Sequence, residues 1–430
     1  MADTARNAAL RVLMACRKNG AWSDGALKEH LSGLDAREAA LASRLCYGVL
    51  QNQMLLDFYL SQFVKGKLQP NVRDILRLAV YQLRFTDKIP VSAAVNEAVE
   101  QAKRSANAQA ARLVNAVLRA MLRQENWQEP TDLATRYSHP QPLVSLLLAE
   151  FGEEGTQALL RCHNAAPQTT VQVNTLKLDA ATLCERLQQQ NIPCTPHPWQ
   201  KTCLLLSGSG SLEQLAAFRE GLFYVQDTAA HLAVEAARLL PGMRVLDCCA
   251  APGGKSFAAA IAMHNQGELI SCDLHPHKLR LIEAGAQRLG IRVITTRVRD
   301  AAKPDETLAP RSFDAVLCDV PCSGLGIIRK KPDIRYKDLT QTERLPGLQA
   351  DILSQQAQYV RPGGVLLYST CTVLRRENQA VCETFLRTHP DFTAEAVPLL
   401  PDRPPQTMTL LLPSEQETDG FFICKFRRKP

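Results

Sequence analysis

The sequence predicts a doubly wound, mainly parallel α/β domain that follows an all-helical domain and a small α/β subdomain. Three observations lead to this prediction. Apolar residues recur at helical spacing through the first 130 residues, strand-like and helix-like segments alternate after Pro241-Gly242, and 430 residues exceed the usual size of one domain. The 46% hydrophobic and 22% charged residues exclude disordered and fibrous classes of protein.

The helical domain is predicted over residues 1–130, where no strand-like alternation interrupts the helical spacing. Asp35 and Glu38 form an acidic version of the capping box that starts a helix. Pro70 and Pro90 mark the connections between later helices. These signals predict several packed helices.

A linker is predicted over 131–165, because Pro140 and Pro142 interrupt the pattern around a single amphipathic helix. Short strand-like and helix-like segments over 166–240 predict the small α/β subdomain. From 241 to 430, strands and helices alternate regularly. This alternation predicts a parallel sheet whose ligand lies beyond the carboxyl ends of the strands.

A glycine-rich loop follows the first strand of that sheet, which ends at Asp247. Its glycines allow a ligand to approach the backbone, and the helix that it opens offers free N–H groups. A phosphate-binding P-loop is excluded, because its first glycine would fall on a cysteine. Asp273 ends the next strand, where an acid accepts hydrogen bonds from an unphosphorylated ribose. The pattern therefore indicates a nucleoside cofactor beside this loop.

Further polar residues follow the later strands. Asp300 follows the third strand, Asp319 ends the fourth and precedes Cys322, and the fifth runs into Cys371. Each acid taken alone is compatible with a helix cap, and each thiol with inert packing. Because the carboxyl ends of parallel strands meet at one edge, acids and two thiols at neighbouring strand ends favour a reactive site.

These motifs resemble the S-adenosylmethionine-dependent RNA 5-methylcytosine methyltransferases, in particular the RsmB (Fmu, Sun) family that acts on bacterial 16S ribosomal RNA. Residues 1–128 resemble the NusB-type RNA-binding domain of that family, Val173–Lys177 its small RRM-like subdomain, and Asp419–Phe422 its closing strand. The resemblance implies a Rossmann-like methyltransferase domain. It also implies that S-adenosylmethionine binds with Asp273 at the ribose, Asp300 near the adenine and Asp319 at the junction with the substrate. The cofactor loop that the resemblance implies consists of Cys249, Ala250, Ala251, Pro252, Gly253, Gly254 and Lys255.

The resemblance also implies roles in the reaction. Cys371 is the nucleophile that adds to C6 of cytosine, Cys322 serves product release, and Asp319 with Lys255 holds the base. A thiolate suits this addition because it is strongly nucleophilic even when only a small fraction is ionised. DNA cytosine methyltransferases use the Pro-Cys thiol as the nucleophile instead, so this assignment requires a mutational test.

Basic residues predict contacts with RNA, whose target cytosine must be single-stranded or flipped out of a helix. Arg112 and Arg119 lie seven residues apart on one helix face, which either contacts phosphates or only keeps that face in water. A second group follows the Pro-Cys motif and is predicted to bind phosphates: Arg329, Lys330, Lys331, Arg335 and Lys337.

Two other functions stay open. One is a transfer-RNA or DNA cytosine-C5 methyltransferase, and the other is a non-enzymatic RNA-binding antitermination or assembly factor. The net charge of +7 permits a polyanionic partner without requiring one.

The 14 cysteines include no CxxC pair, which favours free thiols in a reducing cytosol. A cytoplasmic protein without a membrane partner is expected, because the chain lacks a signal-peptide pattern and a long apolar run. A monomer is also expected. No metal site is predicted. The nearest candidates are Cys272, His275 and His277, but the two histidines flank Pro276 just after a strand, as residues of a loop do.

Overall fold

The structure is a computed structural model that describes residues 4–19, 23–124, 126–208 and 210–430. Backbone contacts divide the chain into two compact units. The first comprises residues 1–165 together with 328–337, and the second comprises 166–327 together with 338–430. We call them the helical unit and the sheet unit.

The helical unit contains α-helices and no β-strand among its described residues. Their apolar faces pack into one core, in which Leu45, Ile75 and Val114 are fully buried. The helices are α1 (Ala5–Asn19), α2 (Ser23–Leu31), α3 (Ala36–Ser61), α4 (Pro70–Phe85), α5 (Val91–Ser105), α6 (Ala108–Arg123), α7 (Leu133–Tyr137) and α8 (Gln141–Asn164).

The predicted helix starts are confirmed. The Asp35 side chain accepts a hydrogen bond from the backbone N–H of Glu38 at 2.9 Å and caps α3. Pro70 is the first residue of α4, and Pro90 immediately precedes α5. Glu38 does not complete the capping box, because its carboxylate accepts the N–H of Ala5 at 2.6 Å instead.

The segment 131–165, predicted as a linker, instead forms α7 and α8 within the helical unit. Its prolines do not break the second helix, because Pro142 lies in the first turn of α8, where proline is tolerated. Buried Leu143, Leu147 and Leu160 hold α8 against its neighbours. The helical unit therefore extends beyond residue 130 and ends at Ala165.

The sheet unit begins with a four-stranded antiparallel sheet in the strand order β2-β3-β1-β4. The chain alternates strands and helices in the β-α-β-β-α-β order of ferredoxin-like folds. The elements are β1 (Thr169–Val173), α9 (Ala180–Gln189), β2 (Cys194–Pro196), β3 (Cys203–Leu206), α10 (Ala216–Arg219) and β4 (Phe223–Val225).

An eight-stranded sheet follows, with the order β10-β12-β9-β8-β5-β6-β7 and β11 beside β12. The strands from β9 to β7 in this order are parallel, whereas β10, β11 and β12 pair antiparallel. The elements are α11 (Thr228–Ala237), β5 (Arg244–Asp247), α12 (Gly254–Ala262), β6 (Glu268–Asp273), α13 (Pro276–Leu289), β7 (Ile294–Val298), β8 (Phe313–Asp319), α14 (Leu345–Ala357), β9 (Val360–Thr370), α15 (Gln379–Thr388), β10 (Phe392–Ala394), β11 (Met408–Leu411), α16 (Pro413–Gln416) and β12 (Phe421–Arg428).

Both faces of this sheet are covered. Val245 packs into a core shared with α11, α12 and α13, whereas the next residue, Leu246, packs into a second core with α14 and α15. Successive side chains of a strand point to opposite faces, so apolar runs occur where both faces are buried. The predicted doubly wound, mainly parallel sheet is confirmed, and its parallel strands direct their carboxyl ends to one edge.

Candidate active site

The loop between β5 and α12 begins the site at that edge. The Ala250 N–H donates to the carbonyl of Cys272 at 2.8 Å, which ties the loop to the end of β6. Gly253 has φ +113°, and a Cβ there would lie 2.5 Å from the Phe257 ring. Only glycine fits this position, so the backbone reaches the start of α12 without an intervening side chain. The loop therefore suits a ligand that contacts the main chain.

Asp247 lies beneath this loop and is fully buried. Its Oδ2 accepts a hydrogen bond from the Ser256 hydroxyl at 2.7 Å, and Ser256 also contacts the hydroxyl of Ser271 at 2.8 Å. Burial raises the pKa of Asp247 to about 6, against the opposing effect of the Ser256 hydrogen bond. Sequence reasoning treated Asp247 only as a strand end, although an acid that closes an apolar strand signals a buried carboxylate.

Asp273 and Asp300 follow adjacent parallel strands, β6 and β7. Asp273 is 9% exposed, and its Oδ1 accepts the N–H of His275 at 3.0 Å. The backbone carbonyl of Asp273 accepts a hydrogen bond from the N–H of Arg299 at 3.0 Å. Asp273 is therefore bonded directly to the residue that precedes Asp300. The Oδ1 of Asp300 accepts the N–H of Ala302 at 3.0 Å. The structure thus brings these two acids to the same edge.

Lys255 and Asp319 form an ion pair across the edge. Lys255 Nζ lies 2.7 Å from Asp319 Oδ2 and 4.9 Å from the centroid of the Phe421 ring. The other carboxylate oxygen of Asp319 accepts a hydrogen bond from the Ser369 hydroxyl at 2.9 Å. The Lys255 side chain is 10% exposed, whereas that of Asp319 is 31% exposed. The carboxylate is therefore fixed in place and still reachable from solvent.

The two predicted thiols lie together. Cys322 Sγ is 3.2 Å from Cys371 Sγ, and both cysteines are free and partly exposed. They follow β8 and β9, which pair in parallel up to Asp319, the last residue of β8, opposite Ser369 in β9. The neighbouring Cys371 thiol, burial and the charges of Glu377 and Asp319 raise the pKa of Cys322 well above its usual range. Cys322 is therefore a neutral thiol at neutral pH.

The loop after Cys322 is joined to the strand that closes the site. Gly326 donates its N–H to the Cys371 carbonyl at 3.0 Å and accepts the Gly420 N–H at 2.8 Å. A Cβ at Gly326 would lie 1.9 Å from the Gly420 carbonyl oxygen. The two backbones approach so closely that a Cβ at Gly420 would lie 2.7 Å from the Gly326 Cα, which explains why a glycine precedes Phe421. Sequence reasoning did not identify Gly326 as the partner of Gly420.

Two basic residues do not lie where they were predicted. Arg335 is 1% exposed, and its guanidinium donates to Gln51 O at 2.8 Å, Ser138 O at 3.2 Å, Asn164 Oδ1 at 2.8 Å and His163 O at 3.3 Å. Arg329 is 8% exposed. The prediction that Arg335 contacts phosphates is wrong, because its guanidinium is buried and donates to these four acceptors. The burial of Arg329 argues against such a contact for that residue as well.

The other predicted basic residues remain reachable. Lys331 is exposed, whereas Lys330 and Lys337 are half-buried. Arg112 and Arg119 are exposed along α6. These five residues stay candidates for contact with a polyanion.

Two kinds of feature do not occur among the described residues. No helix in these ranges is long and apolar enough to cross a membrane. The same residues contain no group of three or more His, Cys, Asp or Glu side chains placed to hold a metal ion.

Three protein-family models match the chain. The model described as 16S rRNA methyltransferase RsmB/F matches residues 237–427, and the NusB family model matches residues 3–123. A third model, described as the ferredoxin-like domain of RsmF/B-like methyltransferases, matches residues 139–213. The first model covers the large sheet, the second covers α1 to α6, and the third runs from α8 through β3 of the small sheet.

Curated relatives match over nearly the whole length. A probable ribosomal RNA small subunit methyltransferase B of Bacillus subtilis is 37% identical over 99% of this chain and 98% of its own. The ribosomal RNA small subunit methyltransferase B of Vibrio cholerae is 33% identical over 90% of this chain and 89% of its own. The crystal structure of the protein PH0851 is similar to this structure over 100% of both chains, with a TM-score of 0.83, and the two sequences are 26% identical. The chain therefore belongs to the RsmB/F family of 16S ribosomal RNA methyltransferases.

Proposed function

We propose that this methyltransferase transfers the methyl group of S-adenosylmethionine to C5 of a cytosine in 16S ribosomal RNA through a covalent adduct between Cys371 and C6. The observation that carries the proposal is the pair of thiols 3.2 Å apart at the ends of two adjacent strands. The ion pair between Lys255 and Asp319 also supports it, because Asp319 is the last residue of β8, the strand that precedes Cys322. The names of the relatives support ribosomal RNA as the substrate.

The residues of the edge fit a nucleoside cofactor. The loop from Cys249 to Lys255 offers main-chain N–H groups at the start of α12, and Gly253 leaves its backbone uncovered. We assign Asp273 to the ribose hydroxyls, because a hydrogen bond from the backbone of His275 orients its carboxylate. S-adenosylmethionine supplies a methyl group on a positively charged sulfur, which is open to attack by a carbon nucleophile.

The protein must make that carbon nucleophilic. C5 of cytosine reacts poorly until a nucleophile adds to C6, after which C5 behaves as an enamine carbon. We assign the addition to the Cys371 thiolate. Asp319 accepts a hydrogen bond from the N4 amino group at the N3/N4 edge of the base, and from N3 once that nitrogen is protonated. Lys255 holds Asp319 at 2.7 Å in the orientation that this contact requires.

The adduct must then be released. After methylation, C5 carries both a methyl group and a proton, while C6 remains bonded to the Cys371 sulfur. A base removes the C5 proton, and the electrons of the broken C5–H bond restore the C5–C6 double bond. The C6–S bond breaks at the same time, and its electron pair returns to the Cys371 sulfur. We assign Cys322 to this step, because its sulfur lies 3.2 Å from that of Cys371. Its neutral thiol gives its proton to the departing Cys371 sulfur, and the thiolate so formed accepts the C5 proton.

Mutation of each thiol tests the assignment. With labelled S-adenosylmethionine and unmethylated 16S RNA, Cys371→Ala is expected to lower methylation more than about 10³-fold. Cys322→Ala is expected to accumulate an RNA–protein adduct that survives denaturation. Cys162→Ala, at a half-buried cysteine of the helical unit, is the control and should behave as the unaltered protein. Methylation by Cys371→Ala, or a stable adduct in that variant, would reverse the assignment.

The substrate is tested in cells. Bisulfite sequencing of RNA from a strain that lacks the gene should show one lost 5-methylcytosine in 16S RNA. A lost site in transfer RNA or DNA would favour the corresponding alternative enzyme, and no lost site anywhere would favour a non-enzymatic role. Restoration of the site by the unaltered gene but not by the Cys371→Ala gene ties the modification to this thiol.

A further inference from the structure

Glu377 is a fully buried carboxylate in the connection between β9 and α15. Among the described residues, its Oε1 has no hydrogen-bond partner, while its Oε2 accepts two hydrogen bonds. Burial of a carboxylate with one oxygen that lacks a hydrogen-bond partner costs folding free energy, and an apolar residue of similar size would avoid that cost. The position therefore calls for an explanation beyond packing.

The two hydrogen bonds of Glu377 lead to the Pro-Cys loop. Oε2 accepts the backbone N–H of Ser323 at 2.8 Å and the side-chain amide of Gln349 at 3.0 Å. The same Gln349 amide donates to the carbonyl of Pro321 at 2.9 Å. Both backbone neighbours of Cys322 are thus held, one directly by a charged acceptor and one through Gln349.

Glu377 is also tied to the chain that carries Cys371. Its backbone carbonyl accepts a hydrogen bond at 2.5 Å from the hydroxyl of Tyr368, which is a residue of β9. The hydroxyls of Ser323 and Thr372 lie 2.7 Å apart, which joins the residue after Cys322 to the residue after Cys371. Displacement of Glu377 would therefore move one thiol relative to the other.

We propose that Glu377 is a positioning residue that joins the two loops and sets the separation of the Cys322 and Cys371 sulfurs. The inference deepens the proposed function and rests on it. The charge of Glu377 has a second effect, because it helps to raise the pKa of Cys322 and so favours the neutral thiol. Glu377 acts on the reaction only through these thiols.

Substitutions separate hydrogen bonding from charge. Glu377→Ala removes the acceptor of both hydrogen bonds. Glu377→Gln keeps one oxygen that accepts from Ser323 and Gln349 but removes the charge. Glu377→Asp keeps the charge and withdraws it by one methylene from Ser323. Glu383→Gln is the matched control, because Glu383 lies exposed on α15 and pairs with Arg375 outside this network.

The separation of the thiols is read with dibromobimane, which becomes fluorescent when it bridges two nearby thiols. Mass mapping of the bridged peptides distinguishes Cys322–Cys371 from other pairs, such as Cys248–Cys249 at 3.8 Å. The reagent needs neither RNA nor S-adenosylmethionine. If the unaltered protein proves inactive, the proposed function fails while this measurement still tests the position of the thiols.

We expect Glu377→Ala to bridge Cys322 and Cys371 about tenfold more slowly and to lose about 10²-fold in kcat, with KM for RNA unchanged. Glu377→Gln should restore the bridging rate and bring kcat to within about tenfold of the unaltered protein. Glu383→Gln should change neither quantity.

Bridging and kcat in Glu377→Ala that match the unaltered protein would overturn the proposal. So would losses that only follow the fraction of unfolded protein in a thermal melt. If Glu377→Ala does not fold, Glu377→Asp decides, and unchanged bridging in that variant overturns the proposal as well.

Discussion

Two polar clusters, one in each unit, use buried charge differently. In the helical unit, Arg335 is 1% exposed and its terminal nitrogens donate to four acceptors. In the sheet unit, the Asp319 side chain is 31% exposed, and Cys322 and Cys371 are partly exposed. A buried charge with several fixed acceptors stabilises a fold, whereas nucleophiles and acids that stay reachable at strand ends are available for chemistry.

The surroundings of Arg335 extend this difference. His139 and His163 lie beneath it, fully buried, with 3.2 Å between their ring nitrogens. Burial and the nearby Arg335 charge lower the pKa of both histidines, that of His163 to about 3. Burial also lowers the pKa of Arg335 to about 10, so the guanidinium remains charged at neutral pH. The helical unit thus contains a permanently charged guanidinium beside two imidazoles that burial and this charge hold in the neutral form.

The largest expected effect tests whether Arg335 is structural. Arg335→Met keeps the length of the side chain but leaves its acceptors unpaired, so we expect the free energy of unfolding to fall by about 3–4 kcal/mol. Urea unfolding followed by circular dichroism measures the loss. Lys331→Met, at an exposed neighbour, should stay within about 0.5 kcal/mol. A loss below about 1 kcal/mol for Arg335→Met would remove the contrast between the clusters.

Lys255→Met tests the opposite property in the other cluster. Because Asp319 loses the partner that orients it, we expect kcat for methylation to fall about 10²-fold, while the urea midpoint changes little. Single-turnover methylation measures the first quantity and urea unfolding the second. Lys103→Met, in an exposed ion pair of α5, serves as the control. A large loss of stability without a loss of kcat would place Lys255 among the structural residues.

A pH titration sharpens the comparison further. An unfolded histidine binds a proton near pH 6.5, whereas folded His163 does so only near pH 3. Between these values the unfolded state binds more protons, so stability is full above pH 6.5 and falls as the pH is lowered. We expect His163 alone to contribute a loss of about 2 kcal/mol between pH 7 and pH 5, in addition to the loss from His139, and we expect a shallower slope for His163→Gln. Equal slopes would contradict this account, and exposed His264→Gln is the control.

The smallest effects are expected at the exposed basic residues. Gln substitution of Lys331, Arg112 or Arg119 should weaken RNA binding slightly, because each variant has one positive charge fewer to neutralise a phosphate. The slope of log K against log salt should become shallower by about 0.7–0.9 for each phosphate that is no longer neutralised. Fluorescence anisotropy at several salt concentrations measures both changes. Slopes that match the unaltered protein in all three variants would leave these residues as solvated charges.

Much of the site follows from local patterns. Periodicity located β5, β6, β8 and β9, and the geometry of parallel sheets brings the residues after them to one edge. Asp273, Asp319, Cys322 and Cys371 were found in this way. Strands β10 and β11 were not predicted, because these short segments become strands through their antiparallel pairing with β12.

Other residues escaped prediction because their partners are distant in sequence. Glu377 resembles an ordinary helix-start acid until Ser323 and Gln349 are placed beside it. Arg335 resembles the basic residues around it, and only its contacts with Gln51 and Asn164 remove it from the surface. Composition and spacing do not distinguish such residues from their neighbours.

The sequence by itself determined the alternation of the parallel strands with helices, the glycine loop and the strand ends at which acids and thiols occur, because these depend on local periodicity and backbone freedom. The tertiary structure decided which charges are buried, that the two sulfurs lie 3.2 Å apart, and that Glu377 joins their loops. These features depend on contacts between distant segments, whose desolvation and hydrogen bonding exist only after the chain has folded.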